Sequence, residues 1–570
     1  MARTPMMHRL RRAFAKALWA LDSGVTEPAA LDAAWRAALL TRRDTLRVAG
    51  AAGVVGLAAC AEDPSDLRDV DEVKDGRVAV IGAGIAGLHC AWRLTQAGVP
   101  AVVYEADSRV GGRMFSGRGL FLDDQVCELG GEFIDTTFAS MWAIAEELGI
   151  VLDDRLADVP EGYVADTWWF GDAAVDERDI VQQFTEVAPT FVAQAAEADS
   201  DEATFAALDA TSLADWLDTY VPRATYRALH DAVRQAYIGE FGREAEDQSC
   251  LNMLYLIGAD EPDPFRVFGD SDERWHAHLG NDTFATLVAA QLSPEQVVTD
   301  ARLTKIIEAE GTFTLELARS DGTTFSANFD HVVLALPFTT LRDVDLDAVT
   351  LSDEKRTIVA ELGYGTNAKV MGGFSSKVWR ETYAASGAMV TDLPAQQTWD
   401  TSIGQEGPSG IITNFLGGAQ GEASGEGDAP TWFAEVAVPA LEAAWPGCAA
   451  AYTGTAVRMH WPTAPHAKGS YACYRPGQWA FWGLEGVREG NLHFCGEHTS
   501  LDFQGWMEGG AETGALVAAE ILDDLGVAYS RGHRAALGDK RLLPQATYHG
   551  DAQPRLRWTE RRRLLRALRG

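Results

Sequence analysis

Three glycines followed by one glutamate form the most informative chemical pattern in this chain. Gly82, Gly84 and Gly87 come directly after the apolar run 78–81, and Glu105 ends a second apolar run. In a strand–turn–helix–strand unit, the first two glycines permit a tight turn and close approach of the backbone to a pyrophosphate at the helix N-terminus. The third glycine lets the helix pack on the strand, and the acid can bind ribose hydroxyls. The pattern predicts a bound dinucleotide.

A basic diglycine segment follows this unit. Arg109 and Arg113 flank Gly111 and Gly112 in the sequence Arg-Val-Gly-Gly-Arg. Two guanidinium groups can neutralise a diphosphate, and a diglycine can lie against a flat ring or a phosphate. Together with the glycine turn, this segment resembles the flavin-containing amine oxidase family. The resemblance covers roughly residues 75 to 525 and implies FAD as the cofactor rather than a nicotinamide nucleotide.

A glycine-rich segment near the C-terminus resembles the family's second flavin-binding motif. Gly496 and Glu497 precede the stretch 505–510, and a helical pattern follows it. The resemblance implies a helix N-terminus aimed at the flavin, where backbone N–H groups such as that of Met507 stabilise negative charge on the reduced ring. Glu497 is implied to contact the phosphate or sugar region of the cofactor.

The predicted cofactor-binding residues come from several short segments. They are Gly82, Gly84, Ile85, Ala86, Gly87, Glu105, Ala106, Arg109, Gly111, Gly112, Arg113, Gly130, Gly131, Glu132, Val298, Gly496, Glu497, Trp506 and Met507. Val298 is included for a backbone contact to the adenine, and the diglycine 130–131 closes a further strand-like run.

Three side chains are implied to act on the substrate or on oxygen. Lys369 matches the family's active-site lysine, which contacts flavin N5 through a water. Tyr471 and Trp506 match two aromatic walls that face each other across the flavin and hold an amine nitrogen through their negative faces. Ser470 stands where some members carry a cysteine bonded to the flavin, so the resemblance implies non-covalent FAD. Cys473 would need a different register to replace it.

The resemblance implies oxidation of a C–N bond. Hydride passes from the amine α carbon to flavin N5, the imine hydrolyses, and O2 reoxidises the flavin to give H2O2, helped by the Lys369 charge. A monoamine or polyamine is the predicted substrate, because Phe115 stands where amino-acid oxidases of the family carry a carboxylate-binding arginine. An L-amino acid oxidase stays open, since Arg118 or an arginine of the helical segment could take that role. The alternatives from other classes are an FAD-dependent desaturase of hydrophobic substrates and a non-catalytic FAD-binding protein.

The elements that must position these residues alternate along the chain. Apolar runs predict two strands around a helix in the first unit, and further strands at 296–307, 313–318, 329–336, 374–390 and 410–416. Residues 138–275 follow a helical spacing, and residues 417–430 are typical of a surface loop. The segment 491–522 predicts a strand, a loop and a helix.

The implied fold class is α/β, with a Rossmann-like FAD-binding domain of the glutathione-reductase type and an inserted α+β substrate domain. The predicted FAD-binding domain is discontinuous and comprises residues 76–137, 272–342 and 466–528. The substrate-binding domain comprises residues 138–271 and 343–465. Residues 1–60 form a signal region, residues 61–75 a linker, and residues 529–570 a basic C-terminal tail.

The charge and the cysteines exclude several classes of partner. The 83 acidic and 48 basic residues give a formal net charge of −35, which argues against nucleic acid or an anionic membrane as a partner of the main body. The 7 cysteines lie far apart, without a Cys-x-x-Cys pair or a His/Cys cluster at metal spacing. Neither a disulfide framework nor a metal site is predicted. The predicted partners are an amine and O2, and the oligomeric state stays open, with a dimer as one option.

The N-terminal region resembles an export signal. Arg42 and Arg43 precede a short apolar run that ends at Cys60, as in a twin-arginine signal closed by a lipoprotein-type cleavage box. The run is too short and too rich in glycine and alanine to span a membrane. Export with Cys60 as a lipid acceptor is predicted; because Thr45 stands where Phe is usual, a cytoplasmic protein is the alternative. The basic tail at 555–570 is a solvated terminal helix, a membrane-surface segment or a partner of the acidic body.

Overall fold

The computed structural model describes residues 76–160 and 162–538. The predicted signal region with its arginines and Cys60, the linker and the basic segment 555–570 lie outside these residues, so export and lipidation stay predictions from the sequence. No helix within the described residues is both long enough and apolar enough to cross a membrane.

An eight-stranded sheet carries the glycine turn. Its strands are β1 (Gly76–Ile81), β2 (Ala101–Tyr104), β9 (Val297–Val298), β10 (Arg302–Ala309), β11 (Thr312–Ala318), β12 (Thr324–Leu334), β13 (Asp345–Ala348) and β19 (Leu492–Phe494). Their order is β13-β10-β11-β12-β1-β2-β9, and β19 pairs with β12. The strands β9, β2, β1, β12 and β19 run parallel, so their carboxyl ends meet at one edge. Gly82, Glu105 and Gly496 follow strands at that edge, where open α/β sheets bind ligands.

A seven-stranded sheet holds Lys369. Its strands are β6 (Val164–Phe170), β7 (Ala173–Val175), β14 (Ala368–Phe374), β15 (Ala385–Thr391), β16 (Gln397–Asp400), β17 (Gly410–Leu416) and β18 (Tyr452–His460). Their order is β18-β14-β17-β16-β15-β6-β7. Every residue of β14 is buried, and β17 and β18 pair with its two edges. Two small sheets pair β3 (Ser116–Gly117) with β4 (Cys127–Glu128), and β5 (Leu152–Asp154) with β8 (Trp275–Ala277).

The helices cover the sheets and form a separate helical cluster. They are α1 (Ile85–Gln96), α2 (Ala139–Leu148), α3 (Glu177–Ser200), α4 (Glu202–Asp209), α5 (Leu213–Tyr220), α6 (Arg227–Phe241), α7 (Cys250–Leu254), α8 (Asp282–Ala289), α9 (Phe338–Leu341), α10 (Asp353–Glu361), α11 (Val378–Glu381), α12 (Gly418–Ala423), α13 (Ala429–Ala444), α14 (Cys448–Ala451), α15 (Met507–Asp524) and α16 (Arg531–Leu537). Side chains cap several of them: Asp176 accepts from the first turn of α3, and Ser212 from that of α5. Helices α3 to α7 share one apolar core.

Alternation along β1 buries both faces of the first sheet. Val78 and Val80 pack in the core formed with α1 and α15, whereas Ala79 and Ile81 pack in the core formed with β10, β11 and β12. A strand with apolar residues on both faces needs cover on both sides, which parallel sheets obtain from helices or from further strands. The glycine turn at the end of β1 is therefore held by two cores.

The predicted strand–turn–helix–strand unit is confirmed by β1, α1 and β2. Three other predictions are wrong in part. Strands β5, β6 and β7 interrupt the helical segment 138–275, because β6 extends the second sheet by pairing with β15. Residues 374–390 are not one strand, since α11 separates β14 from β15. The loop predicted at 417–430 contains α12, where Gly421 lies against the backbone of Thr366 and leaves no room for a side chain.

Candidate functional site

A cavity of about 830 Å³ is lined by residues of both large sheets. Every predicted site residue lines it except Gly87 and Val298. The structure thus brings together residues from the N-terminal glycine turn, the middle of the chain around Lys369 and the C-terminal motif around Trp506. These segments are distant in sequence. They meet because the C-terminal end of β1 and the N-terminal ends of β14 and α15 lie at the same cavity.

The three glycines of the turn have different environments. Gly82 has a φ of +108°, and a Cβ there would lie 2.8 Å from the carbonyl oxygen of Ala335. A Cβ on Gly87 would lie 2.0 Å from the carbonyl oxygen of Gly82, so Gly87 packs α1 against the turn and does not reach the cavity. A Cβ on Gly84 would meet no atom within 4 Å. Gly84 therefore borders open space.

Glu105 is held by backbone N–H groups at the cavity edge. Its Oε2 accepts a hydrogen bond from Ala83 N at 2.7 Å, and its Oε1 accepts from Asp107 N at 2.8 Å. Burial raises the pKa of Glu105, and these two bonds limit the rise. Val298 lies behind it, with its carbonyl oxygen accepting from Glu105 N at 2.9 Å. Val298 does not line the cavity, whereas Leu303, which the sequence did not single out, does.

An ion pair joins the two predicted flavin motifs. Arg113 Nη1 donates to Glu497 Oε1 at 2.7 Å and to the carbonyl oxygen of Ser470 at 2.6 Å. Glu497 Oε2 accepts from Gly505 N at 2.9 Å. The Arg113 charge thus has a carboxylate partner within the protein. Arg109, the other arginine of the diglycine segment, stacks 4.1 Å from the ring centre of Phe115.

The N-terminus of α15 lacks a side-chain cap. Its N-cap residue Trp506 makes no side-chain capping bond, and Glu508 in the first turn caps α2 by accepting from Ser140 N at 2.8 Å and Met141 N at 2.9 Å. Gly84 likewise caps α1 without a side-chain bond. Two helix N-termini are therefore open at one cavity. Open helix N-termini and the free space at Gly84 fit a ligand that carries a diphosphate and a ring that gains negative charge.

The two predicted aromatic walls line the cavity and are fixed by their neighbours. The Tyr471 hydroxyl donates to the carbonyl oxygen of Glu240, and its ring Cδ2 lies 3.4 Å from the position of a Cβ on Gly505. Trp506 packs edge to face on Phe138, with ring centres 5.6 Å apart. Burial raises the pKa of Tyr471 well above its usual value, so the hydroxyl stays neutral.

No cysteine within the described residues lines the cavity. At the position where some family members carry the linking cysteine, Ser470 Oγ donates to Asn367 Oδ1 at 2.6 Å. Cys473 is fully buried, and its sulfur accepts from Asn252 Nδ2 at 3.7 Å. The arrangement agrees with a cofactor that has no thioether to residues 76–160 or 162–538.

Lys369 is a buried residue of β14 and faces the diglycine 130–131. Its Nζ donates to Gly130 O at 2.8 Å, to Glu128 O at 3.2 Å and to Glu132 Oε2 at 2.8 Å. The sequence grouped Glu132 with the cofactor-binding residues, and the structure shows that it is also the ion-pair partner of Lys369. Trp399 lies beneath the ammonium, 5.2 Å from Nζ to the ring centre. Sequence spacing carries no signal for this pair.

Several acidic residues that the sequence did not single out also line the cavity. Three of them are Asp166 on β6, Glu240 on α6 and Glu273, which precedes β8. Burial and the nearby carboxyl groups raise the pKa to about 7 for Glu240 and about 8 for Glu273, whereas Asp166 lies at an exposed position of β6. Glu273 has a φ of +40°, a strained conformation for a residue with a side chain. The three come from separate elements, so no motif could have predicted them.

The arginines considered for an α-carboxylate differ in position. Arg118 donates to Asp282 and to the carbonyl oxygen of Leu279 and does not line the cavity. Arg155, from the segment 138–271, does line it. Its guanidinium stacks 4.2 Å from the ring centre of Phe133 and donates to the Glu273 carbonyl oxygen at 2.9 Å. Arg155 is therefore the candidate for a carboxylate-binding role, and Arg118 is not.

Among the residues that the structure describes, one group outside the cavity has the composition of a metal site. His331, His493 and Asp524 place ligand atoms within 4.8 Å of one another, although their sequence spacing predicts no metal. His331 Nδ1 and His493 Nε2 are 3.4 Å apart. Asp524, however, is ion-paired with Arg488, and a guanidinium on the carboxylate opposes a cation there. We assign the group as a polar network.

Comparisons with known proteins agree with the predicted class of fold. A profile described as flavin containing amine oxidoreductase matches residues 85–522. A candidate flavin-containing monoamine oxidase of Mycobacterium tuberculosis, AofH, is 27% identical over 469 residues, which cover 78% of this chain and 96% of that protein. An L-amino-acid oxidase of Siganus canaliculatus is 22% identical over 495 residues, 82% of this chain and 90% of its own.

Among solved structures, a putrescine oxidase bound to putrescine superposes with a TM-score of 0.66 at 19% identity, over 79% of this chain and 100% of that one. A cyclohexylamine oxidase from Brevibacterium oxydans gives 0.66 at 20% identity, over 80% and 100%. At these identities the likeness shows the fold, and it confirms the predicted α/β FAD-binding architecture.

Proposed function

This chain belongs to the flavin-containing amine oxidoreductase family, and we propose that its substrate is a diamine or polyamine rather than an α-amino acid. The protein is an FAD-dependent amine oxidase that uses an amine and O2. When bound, FAD supplies the acceptor for the hydride of the amine C–H bond and the route of the electrons to O2.

The residues that line the cavity would bind the cofactor and the substrate. The open N-terminus of α1 at Gly84 would hold the diphosphate of FAD, and that of α15 would face its ring. The rings of Tyr471 and Trp506 would hold the reacting nitrogen through their negative faces and exclude water from it. No strong general base is needed if that nitrogen binds deprotonated.

The carboxyl groups of Asp166, Glu240 and Glu273 are the observation that supports a diamine or polyamine substrate. Within the part of the chain that the structure describes, none of these carboxyls has an ion-pair partner. Burial and repulsion keep Glu273 mainly protonated at neutral pH and Glu240 about half protonated. A second ammonium on the substrate would favour the ionised forms of these carboxyls and would be attracted by their negative charge. An α-carboxylate would instead add to the repulsion. Arg155 supports the runner-up, an L-amino acid oxidase, since its guanidinium could bind such a group.

Peroxide release on a panel of diamines, polyamines, monoamines and L-amino acids tests the proposal. We expect the highest kcat/KM for a dication, and we expect Glu240→Gln or Glu273→Gln to lower that kcat/KM at least about tenfold by removing a charge partner. The same variants should change kcat/KM for a monoamine much less. Glu435→Gln is the matched control, since Glu435 is exposed on α13 and does not line the cavity. Highest activity on an L-amino acid, lost in Arg155→Met, would replace this proposal by the runner-up.

The affinity for a dication should also depend on pH. Glu240 and Glu273 ionise between about pH 7 and 8 in the free protein, and a bound cation favours the ionised forms. The dissociation constant of a bis-quaternary diammonium inhibitor, whose own charge does not titrate, should therefore fall about tenfold or more as the pH rises from 6 to 9. Titration calorimetry measures it, and a monoquaternary inhibitor serves as the control. An affinity that stays flat over this range, or weakens, would contradict the role of the carboxyls.

A further inference from the structure

The Lys369 ammonium donates hydrogen bonds to three acceptors of the protein. An ammonium has three donors, and Nζ reaches three acceptors, the carbonyl oxygens of Glu128 and Gly130 and the carboxylate of Glu132, at 2.8 to 3.2 Å. Lys369 is 5% exposed. Its position is thus fixed by β4 and the diglycine wall and does not depend on a ligand.

Glu132 is as tightly held as the lysine. It is 6% exposed, its Oε2 accepts from Lys369 at 2.8 Å, and its Oε1 accepts from Thr401 Oγ1 at 3.0 Å. Thr401 in turn contacts Thr413 Oγ1 at 2.6 Å. Burial raises the pKa of Glu132, but the charges of Lys369 and Arg155 outweigh this effect and hold the pKa below its usual value. Glu132 is therefore ionised at neutral pH, and both members of the pair line the cavity.

We propose that Glu132 is a positioning residue of the oxidase, which fixes the Lys369 ammonium at the cavity wall and provides its counter-charge. Burial penalises an unpaired ammonium, and the carboxylate of Glu132 offsets that penalty. With Glu132 in place, a charged lysine stands at the cavity at a set distance from the diglycine 130–131. The inference rests on the FAD-dependent activity and not on the class of amine.

The pair should act on the flavin as one electrical unit. A positive charge near the ring favours the reduced form, which carries more negative charge, and a carboxylate opposes it. Replacing Glu132 by glutamine removes the opposing charge while keeping an acceptor for Lys369. If Lys369 is absent, however, the buried Glu132 has lost its main counter-charge and takes up a proton, so the same replacement changes little. The effect of Glu132 thus requires Lys369.

A double-mutant cycle on the FAD-loaded enzyme tests this coupling. The flavin midpoint potential is measured by equilibration with a reference dye for wild type, Glu132→Gln, Lys369→Met and the double variant. We expect Glu132→Gln to favour reduced flavin by about fivefold in that equilibrium, and to have little effect in the Lys369→Met background. Equal shifts in both backgrounds, or no shift in either, would overturn the proposal. Since no amine is used, failure of the substrate assignment leaves this test intact.

Two further variants separate charge from packing. Thr401→Val removes the hydroxyl that binds Glu132 Oε1 and keeps the charges, so the potential should stay at the wild-type value. Glu132→Asp keeps the carboxylate and shortens its reach. Its flavin midpoint potential should lie much closer to the wild-type value than that of Glu132→Gln. If Glu132→Gln fails to fold, the comparison of Glu132→Asp with Thr401→Val still decides: a large shift in Thr401→Val with none in Glu132→Asp would contradict a role for the charge.

Discussion

Replacement of Gly84 by valine is expected to abolish FAD binding and leave the fold intact. The backbone at Gly84 has φ −71° and ψ 175°, which valine adopts without strain. A Cβ there meets no protein atom within 4 Å, so the new side chain starts in the open space that borders the cavity. We expect FAD affinity to fall at least about 100-fold, on the order of 2.7 kcal/mol. Flavin absorbance and calorimetry with FAD measure this, and the thermal midpoint of the apoprotein should not change.

Gly87→Ala is the matched control, because its new methyl group meets the protein itself. Its Cβ would lie 2.0 Å from the carbonyl oxygen of Gly82, and such overpacking costs about 1–3 kcal/mol. This variant should lower the thermal midpoint of the apoprotein, unlike Gly84→Val. Wild-type FAD affinity in Gly84→Val would show that the cofactor does not use the open space at the N-terminus of α1.

Lys369→Met should slow flavin reoxidation by O2 on the order of 100-fold. The lysine is the cation held at the diglycine wall by Glu132, and a preorganised charge is worth about 10²- to 10³-fold in rate where negative charge develops on oxygen. Stopped-flow mixing of the reduced enzyme with O2 measures the rate. A rate equal to that of wild type would remove Lys369 from the oxygen reaction.

The same variant should lose stability. It leaves the buried Glu132 carboxylate without its main counter-charge, and breaking a buried ion pair from one side costs about 3–5 kcal/mol, less where the carboxylate takes up a proton. Lys369→Met with Glu132→Gln should recover much of that loss in thermal unfolding, although reoxidation stays slow. Stability in Lys369→Met equal to wild type would indicate that the pair contributes no net stabilisation.

The sequence by itself determined the parts of the site that are local. Gly82, Gly84, Gly87 and Glu105 lie in one contiguous unit, and their roles follow from the geometry of a turn between a strand and a helix. The prediction for this unit needed no knowledge of distant residues. Residue-by-residue resemblance then supplied Lys369, Tyr471 and Trp506, which all line the cavity.

Only the tertiary structure decided which charges meet. The ion pairs of Lys369 with Glu132 and of Arg113 with Glu497 join segments far apart in the chain, and no spacing rule relates them. The elevated pKa values of Glu240 and Glu273 likewise come from burial beside other carboxyls, a property that a residue acquires only after folding. Local backbone chemistry is written in neighbouring residues. Electrostatics depends on distance and desolvation, which the packed fold alone defines.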